Sequence, residues 1–243
     1  MKFTKKMKLL TLILLSLSVF FIYNKTNHNN ISYTNLGDGL AKGIDCYGRV
    51  DYGYSDYVKD YLKDTDKLKS YSNEFTSKEM TIEKLHNTIL RNEKMLQENK
   101  NNDIRYVLRD TDYLTITIGL NDLLYKLSLT DEYTNASLNQ IIKEIESSFN
   151  ALIDEIKKIY PNKIYIIGYY NTDKNNDFLD IAIKKLNKIY QNNENVIYIS
   201  TNEISNNSDK YLLNPNSYYP NNEGYQVIST KIINKISKKL EKK

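Results

Sequence analysis

Tryptophan is absent, cysteine occurs once, histidine twice and proline three times in 243 residues. The single cysteine, Cys46, excludes an intrachain disulfide framework. With His28 and His86 as the only imidazoles, the chain is poorly equipped for zinc, and neither a metal nor a cofactor is expected. A body-wide excess of positive charge is missing too. Lys2, Lys5, Lys6 and Lys8 account for the formal +4, and the remaining residues carry 30 basic and 30 acidic side chains. A neutral body lacks the surplus charge of a sequence-independent nucleic-acid binder, so that class is excluded. What is present is a globular composition, 40% hydrophobic and 26% charged, too apolar for a disordered chain. Asn, Lys, Ile and Tyr are abundant, and this compositional bias is a sufficient account of the 22 tyrosines.

The amino terminus has the layout of an export signal. Four lysines precede Leu9–Tyr23, a run of fifteen residues interrupted only by Thr11, Ser16 and Ser18. No small-x-small cleavage site follows, because Phe20, Phe21 and Ile22 are bulky, and no cysteine follows to take a lipid anchor. The expectation is an uncleaved N-terminal hydrophobic helix over residues 1–30, with Asn24–Asn30 as a polar tether. The lysines hold the terminus in the cytoplasm. Residues 31–243 are then a membrane-tethered, extracytoplasmic domain, or a secreted one if the signal is cleaved.

Within that domain strand and helix signals alternate. Strands are expected at Ile31–Leu36, Tyr113–Ile118, Lys163–Ile167 and Val196–Ile199. Helices are expected at Tyr52–Leu62, Met80–Leu96, Leu138–Ile159, Phe178–Tyr190 and Tyr225–Leu240. The clearest is Leu138–Ile159, where Leu138, Ile141, Ile145, Phe149, Leu152, Ile153 and Ile156 keep the three-four spacing of one buried face. Strands separated by helices imply right-handed crossovers and a mostly parallel sheet covered on both faces, a three-layer α/β/α fold. Ligands in such sheets bind beyond the carboxyl ends of the strands. The loops after Leu36, after Ile118 and before the last helix therefore matter most.

Those three loops resemble the sequence blocks of the SGNH/GDSL hydrolases. Leu36-Gly37-Asp38-Gly39-Leu40 is similar to the family's first block, Gly-Asp-Ser-Leu. Gly119-Leu120-Asn121-Asp122 resembles Gly-x-Asn-Asp, and Tyr219-Pro220-Asn221 with Gly224-Tyr225 resembles His-Pro-Asn-x-x-Gly-Tyr. The resemblance implies a flavodoxin-like fold over residues 31–243, with an ester- or acetyl-hydrolysing site across the strand ends. It also implies kinship with esterases, lysophospholipases and carbohydrate deacetylases.

At the positions that do the chemistry the chain departs from the pattern. Gly39 stands where the family has its nucleophilic serine, Tyr219 where it has the general-base histidine, and Asn216 where an aspartate orients that histidine. Glycine has no side chain to attack with, and a tyrosine, with an ordinary pKa near 10, is a weak base at neutral pH. The second-block glycine has no match, since Lys69–Ser77 contains no glycine. By the same resemblance Asn121 and the Gly39 N–H are the oxyanion donors, and Asp38 and Gly119 belong to the same ligand-binding frame. Asp38 and Asp122 equally suit helix caps, and Gly37, Gly119 and Gly224 equally suit turns.

Five of the eight glycines lie between Gly37 and Gly53, interleaved with Tyr47, Tyr52, Tyr54 and Tyr57 beyond Gly43. That tract is either an aromatic rim over the site or a glycine-rich loop whose tyrosines pack inward. Cys46 within it is a buried thiol or an intermolecular partner. The functional expectation is a non-catalytic member that binds an acyl- or acetyl-bearing envelope glycan, a lipid or a protein. The alternative is an active esterase, lipase or deacetylase with a non-standard site.

Overall fold

A computed structural model describes residue 16 and residues 31–94, 102–131, 133–173, 175–215 and 217–240. Five strands, β1 Ile31–Gly37, β2 Leu68–Ser72, β3 Tyr113–Thr117, β4 Ile164–Ile167 and β5 Val196–Ile199, form one sheet. Its order is β2-β1-β3-β4-β5, and every neighbouring pair is parallel. The helices are α1 Gly39–Lys42, α2 Tyr54–Asp64, α3 Ile82–Leu90, α4 Ile104–Arg109, α5 Leu120–Ser128, α6 Asn135–Lys157, α7 Asp177–Asn192, α8 Asn202–Asn206, α9 Ser208–Tyr211 and α10 Asn222–Leu240. The pair α2 and α10 pack together, and α3, α5 and α7 each pack against α6. Right-handed crossovers place these two groups on opposite faces of the sheet. The expected three-layer α/β/α fold is the fold observed.

Burial explains why the central strands hold few charges. Every residue of β1, β3 and β4 is buried, as expected where helices cover both faces. Polar side chains within them pair with one another. Tyr54 on α2 donates to Asn35 Oδ1 at 2.8 Å, Thr115 donates to the same oxygen at 2.9 Å, and Asn35 Nδ2 donates to the Ala41 carbonyl at 2.8 Å. This satisfied network ties α1 to the strand beneath it.

Element boundaries moved where caps overrode hydrophobic periodicity. Thr134 accepts from Ser137 N at 3.1 Å and starts α6 three residues before Leu138. Asn221 Oδ1 accepts from Gly224 N at 3.0 Å and starts α10 at Asn222 rather than Tyr225. The helix expected to run to Leu96 stops at Leu90, because Asn92 takes a left-handed φ of 51°. Strand β2 was not expected; it is a half-buried edge strand carrying Lys69. Among the described residues no helix is long and apolar enough to cross a membrane. The expected N-terminal helix and tether, residues 1–30, lie outside the described residues apart from Ser16.

Candidate functional site

The strand order reverses at β1: the chain leaves it for β2 on one side and returns to β3 on the other. The carboxyl ends of β1 and β3 flank this switch point, the usual crevice for ligands in open parallel sheets. Gly37-Asp38-Gly39 follows β1 there and Gly119-Leu120-Asn121-Asp122 follows β3. The loop before α10 brings Tyr218 and Tyr219 over them, since Asp38, Leu40, Leu120, Asn121, Leu124, Tyr169, Tyr170, Tyr218 and Tyr219 line one enclosed space. Two of the three expected loops thus meet at the switch point, and the third closes over it.

Asp38 is buried and caps α1. Its Oδ1 accepts from Leu40 N at 3.0 Å and from Thr117 Oγ1 at 2.8 Å, and its Oδ2 accepts from the Tyr169 hydroxyl. Loss of water raises its pKa from 3.8 to about 6, and these donors oppose the rise. A raised folded-state pKa means the native state holds the proton more tightly than the unfolded chain. The resulting cost to stability is absent below the unfolded value, grows as pH rises, and is complete above about 6. Asp38→Asn keeps an acceptor for Leu40 N and Thr117 and removes the titration. Its melting temperature is expected to gain a few degrees on the native chain between pH 4 and 6.5. A difference flat across that range, measured by thermal unfolding, would refute the assignment.

Asn121 Nδ2 donates to the Lys78 carbonyl at 2.9 Å and to the Met80 carbonyl at 2.8 Å. Both amide hydrogens are therefore committed to the loop before α3. Asp122, on the same turn, accepts from Ile82 N through Oδ1 at 3.2 Å and Oδ2 at 3.1 Å, serving the amino end of α3. Burial raises its pKa. The Gly-x-Asn-Asp segment thus anchors the 78–82 loop through both side chains. Gly119 itself has φ of 110°, and a Cβ there would lie 2.7 Å from the Tyr190 hydroxyl.

The most informative contact is between Gly39 and Tyr219. A Cβ on Gly39 would sit 2.2 Å from the Tyr219 hydroxyl oxygen and 2.6 Å from Cζ. The phenol occupies the room that a side chain at position 39 would need. Burial pushes the pKa of Tyr219 above its ordinary value, and the charges of Asp38 and Glu79 add to the rise. It is a protonated phenol at neutral pH, not a base. The remaining enclosed space measures about 30 Å³, roughly room for one water molecule. Asn216 lies outside the described residues, as does His28. His86 is on α3 and lines neither this space nor the groove above it.

Above the filled space lies an open groove of about 600 Å³ lined by Tyr47, Tyr125, Tyr218, Tyr219, Lys78 and Glu79, with Asn121 and Asn214 among the remaining lining residues. The glycine-rich tract divides between the two readings given for it: Tyr47 is exposed on the groove, whereas Tyr54 is fully buried. Cys46 is a buried thiol. Tyr125, Tyr218, Lys78 and Glu79 were missed by sequence reasoning. A helix after Gly119 would have placed Tyr125 one turn beyond Asn121 on the same face; Lys78 and Glu79 carry no comparable signal.

A parallel sheet with a strand-end crevice flanked by Gly-Asp and Gly-x-Asn-Asp turns defines a three-layer α/β/α architecture of the flavodoxin type. The model of the GDSL-like lipase/acylhydrolase family matches residues 32–232, and the chain belongs to that family. Similar solved structures include the lipase Lip_vut3 from goat rumen metagenome, with TM-score 0.65 at 19% identity over 83% of this chain and 95% of that one. A catalytic mutant of Axe2, an acetylxylan esterase from Geobacillus stearothermophilus, superposes with TM-score 0.61 at 14% identity over 85% and 94%. The lipase/acylhydrolase from Enterococcus faecalis gives 0.59 at 16% identity over 86% and 96%. No curated protein matches the chain.

Proposed function

We propose that this chain is a member of the GDSL-like family that holds its ligand without hydrolysing it, exported and tethered by its N-terminal segment. The observation that carries the reading is the Tyr219 phenol in the space a side chain at position 39 would need. Acyl transfer by the family route requires an activated hydroxyl, a base and an oriented pair of oxyanion donors. Position 39 offers no hydroxyl, Tyr219 keeps its proton, and Asn121 spends both amide hydrogens on backbone carbonyls. The lysines before Leu9–Tyr23 support a cytoplasmic terminus with residues 31–243 outside the membrane. The ligand is an acyl- or acetyl-bearing envelope glycan, a lipid or a protein.

The test is hydrolysis of p-nitrophenyl acetate, p-nitrophenyl butyrate and acetylated xylo-oligosaccharides by the full chain in detergent micelles. No turnover above the detergent blank is expected. Turnover that disappears in Asn121→Ala would overturn the reading in favour of an active esterase.

A further inference from the structure

The geometry points to a neutral saccharide as the occupant of the open groove, recognised by its ring faces and hydroxyls rather than by an ester. This inference rests on the non-hydrolytic reading and narrows its ligand.

Three exposed tyrosines from separate parts of the chain border the groove. Tyr47 comes from the loop after α1, Tyr125 from α5 and Tyr218 from the loop before α10, with relative exposures of 69%, 64% and 38%. Exposed phenols offer flat, amphipathic faces at the cost of few rotatable bonds. Tyr47 is held in place. The Asp45 carboxylate accepts from Tyr47 N at 2.9 Å and from Arg49 N at 2.8 Å, and grips the Arg49 guanidinium through Nε at 2.9 Å and Nη2 at 2.8 Å. That guanidinium stands 5.2 Å from the centre of the Tyr47 ring. The adjoining loop is also fixed: Asn214 Nδ2 donates to the Cys46 carbonyl at 2.8 Å, and Tyr170 donates to the Tyr218 carbonyl at 3.0 Å. Two loops distant in sequence are thus stitched into one preorganised rim, which lowers the ordering cost of binding.

The rest of the lining discriminates among ligand classes. Lys78 and Glu79 offset each other, and the other polar lining residues are uncharged Asn121, Asn214, Ser217 and Thr81. An anionic ligand finds no net positive charge there. An acyl chain finds no slot beneath the groove, because Tyr219 closes the floor and only about 30 Å³ remains there, and Leu124 is the one aliphatic side chain among the described residues of the groove lining. Flat aromatic faces beside tyrosine, serine and threonine hydroxyls and the Asn121 Oδ1 acceptor match the alternating C–H faces and hydroxyl edges of a sugar.

The experiment is a glycan array of neutral cello-, xylo- and chito-oligosaccharides together with uronate-bearing and sulfated glycans, probed with the full chain in detergent micelles. Titration calorimetry follows on the best neutral binder. Binding to neutral oligosaccharides is expected, little changed between 50 and 500 mM salt, the range over which an ionic contact would weaken. Tyr47→Ala and Tyr125→Ala are each expected to weaken it about three- to tenfold. Tyr106→Ala, at an exposed tyrosine on α4 before the start of β3, should leave it unchanged. Binding confined to anionic glycans, binding of none, or loss in Tyr106→Ala equal to that in Tyr125→Ala would overturn the inference. Ester turnover in the same preparation would instead overturn the non-hydrolytic reading, so the two failures are distinguishable.

Discussion

Gly37→Ala is expected to prevent the domain from folding, giving insoluble protein or no cooperative unfolding transition. Gly37 ends β1 with φ of 124°, a region that side-chain-bearing residues rarely adopt. The larger obstacle is steric. A Cβ there would lie 1.8 Å from the Thr117 carbonyl oxygen and 2.8 Å from its carbon, both backbone atoms of the adjacent strand. Relief requires parting β1 from β3 where Asp38 N donates to that same carbonyl at 2.9 Å. The combined cost exceeds about 4 kcal/mol, a large share of the 5–15 kcal/mol by which a typical domain is stable. Gly48→Ala is the control. Its φ of 84° is also left-handed, but the nearest atom to an added Cβ is Lys78 Nζ at 4.0 Å. Only conformational strain remains there, about 1 kcal/mol. Denaturant unfolding that placed Gly37→Ala within 1 kcal/mol of the native chain would refute the steric argument.

Most of this fold was legible because long elements repeat their pattern many times. The 23 residues of α6 pass the buried face several times, and β1, β3 and β4 are short apolar or β-branched runs closed by glycine or by Pro and Asn nearby. The helices α1, α8 and α9 have four or five residues each and cannot show a period at all. Strand β2, half-buried at the edge, has no apolar run to betray it. The site divides in the same way. Its frames were visible because turns demand glycine and caps demand Asp or Asn, and both requirements are local. The use of Asn121 to anchor the 78–80 loop was not visible, since an amide that donates to a ligand and one that donates to a carbonyl look alike in sequence. The 22 tyrosines had a second obscuring effect. In a chain so rich in the residue, one that fills a site and one that lines a groove are indistinguishable from core.

The relation between Gly39 and Tyr219 joins two residues 180 positions apart, and a double-mutant cycle measures it. Helix propensity alone predicts that Gly39→Ser stabilises α1, since serine is better than glycine in a helix by a few tenths of a kcal/mol. The contact predicts the reverse sign. A serine Cβ at 2.2 Å from the phenol oxygen cannot be accommodated unless the ring leaves its place. That oxygen is the far end of a side chain, so the loop can yield without breaking the sheet, and the cost is about 1–3 kcal/mol rather than loss of the fold. In a Tyr219→Ala background the obstruction is gone. Gly39→Ser should then be neutral or slightly stabilising, leaving a coupling energy of about 1–3 kcal/mol. Additive effects of the two substitutions would mean that the phenol and position 39 do not share space. A serine tolerated without cost in the presence of Tyr219 would carry a further consequence. The room for a nucleophile would then persist beneath the ring, and the strongest structural support for a binding role without hydrolysis would be lost.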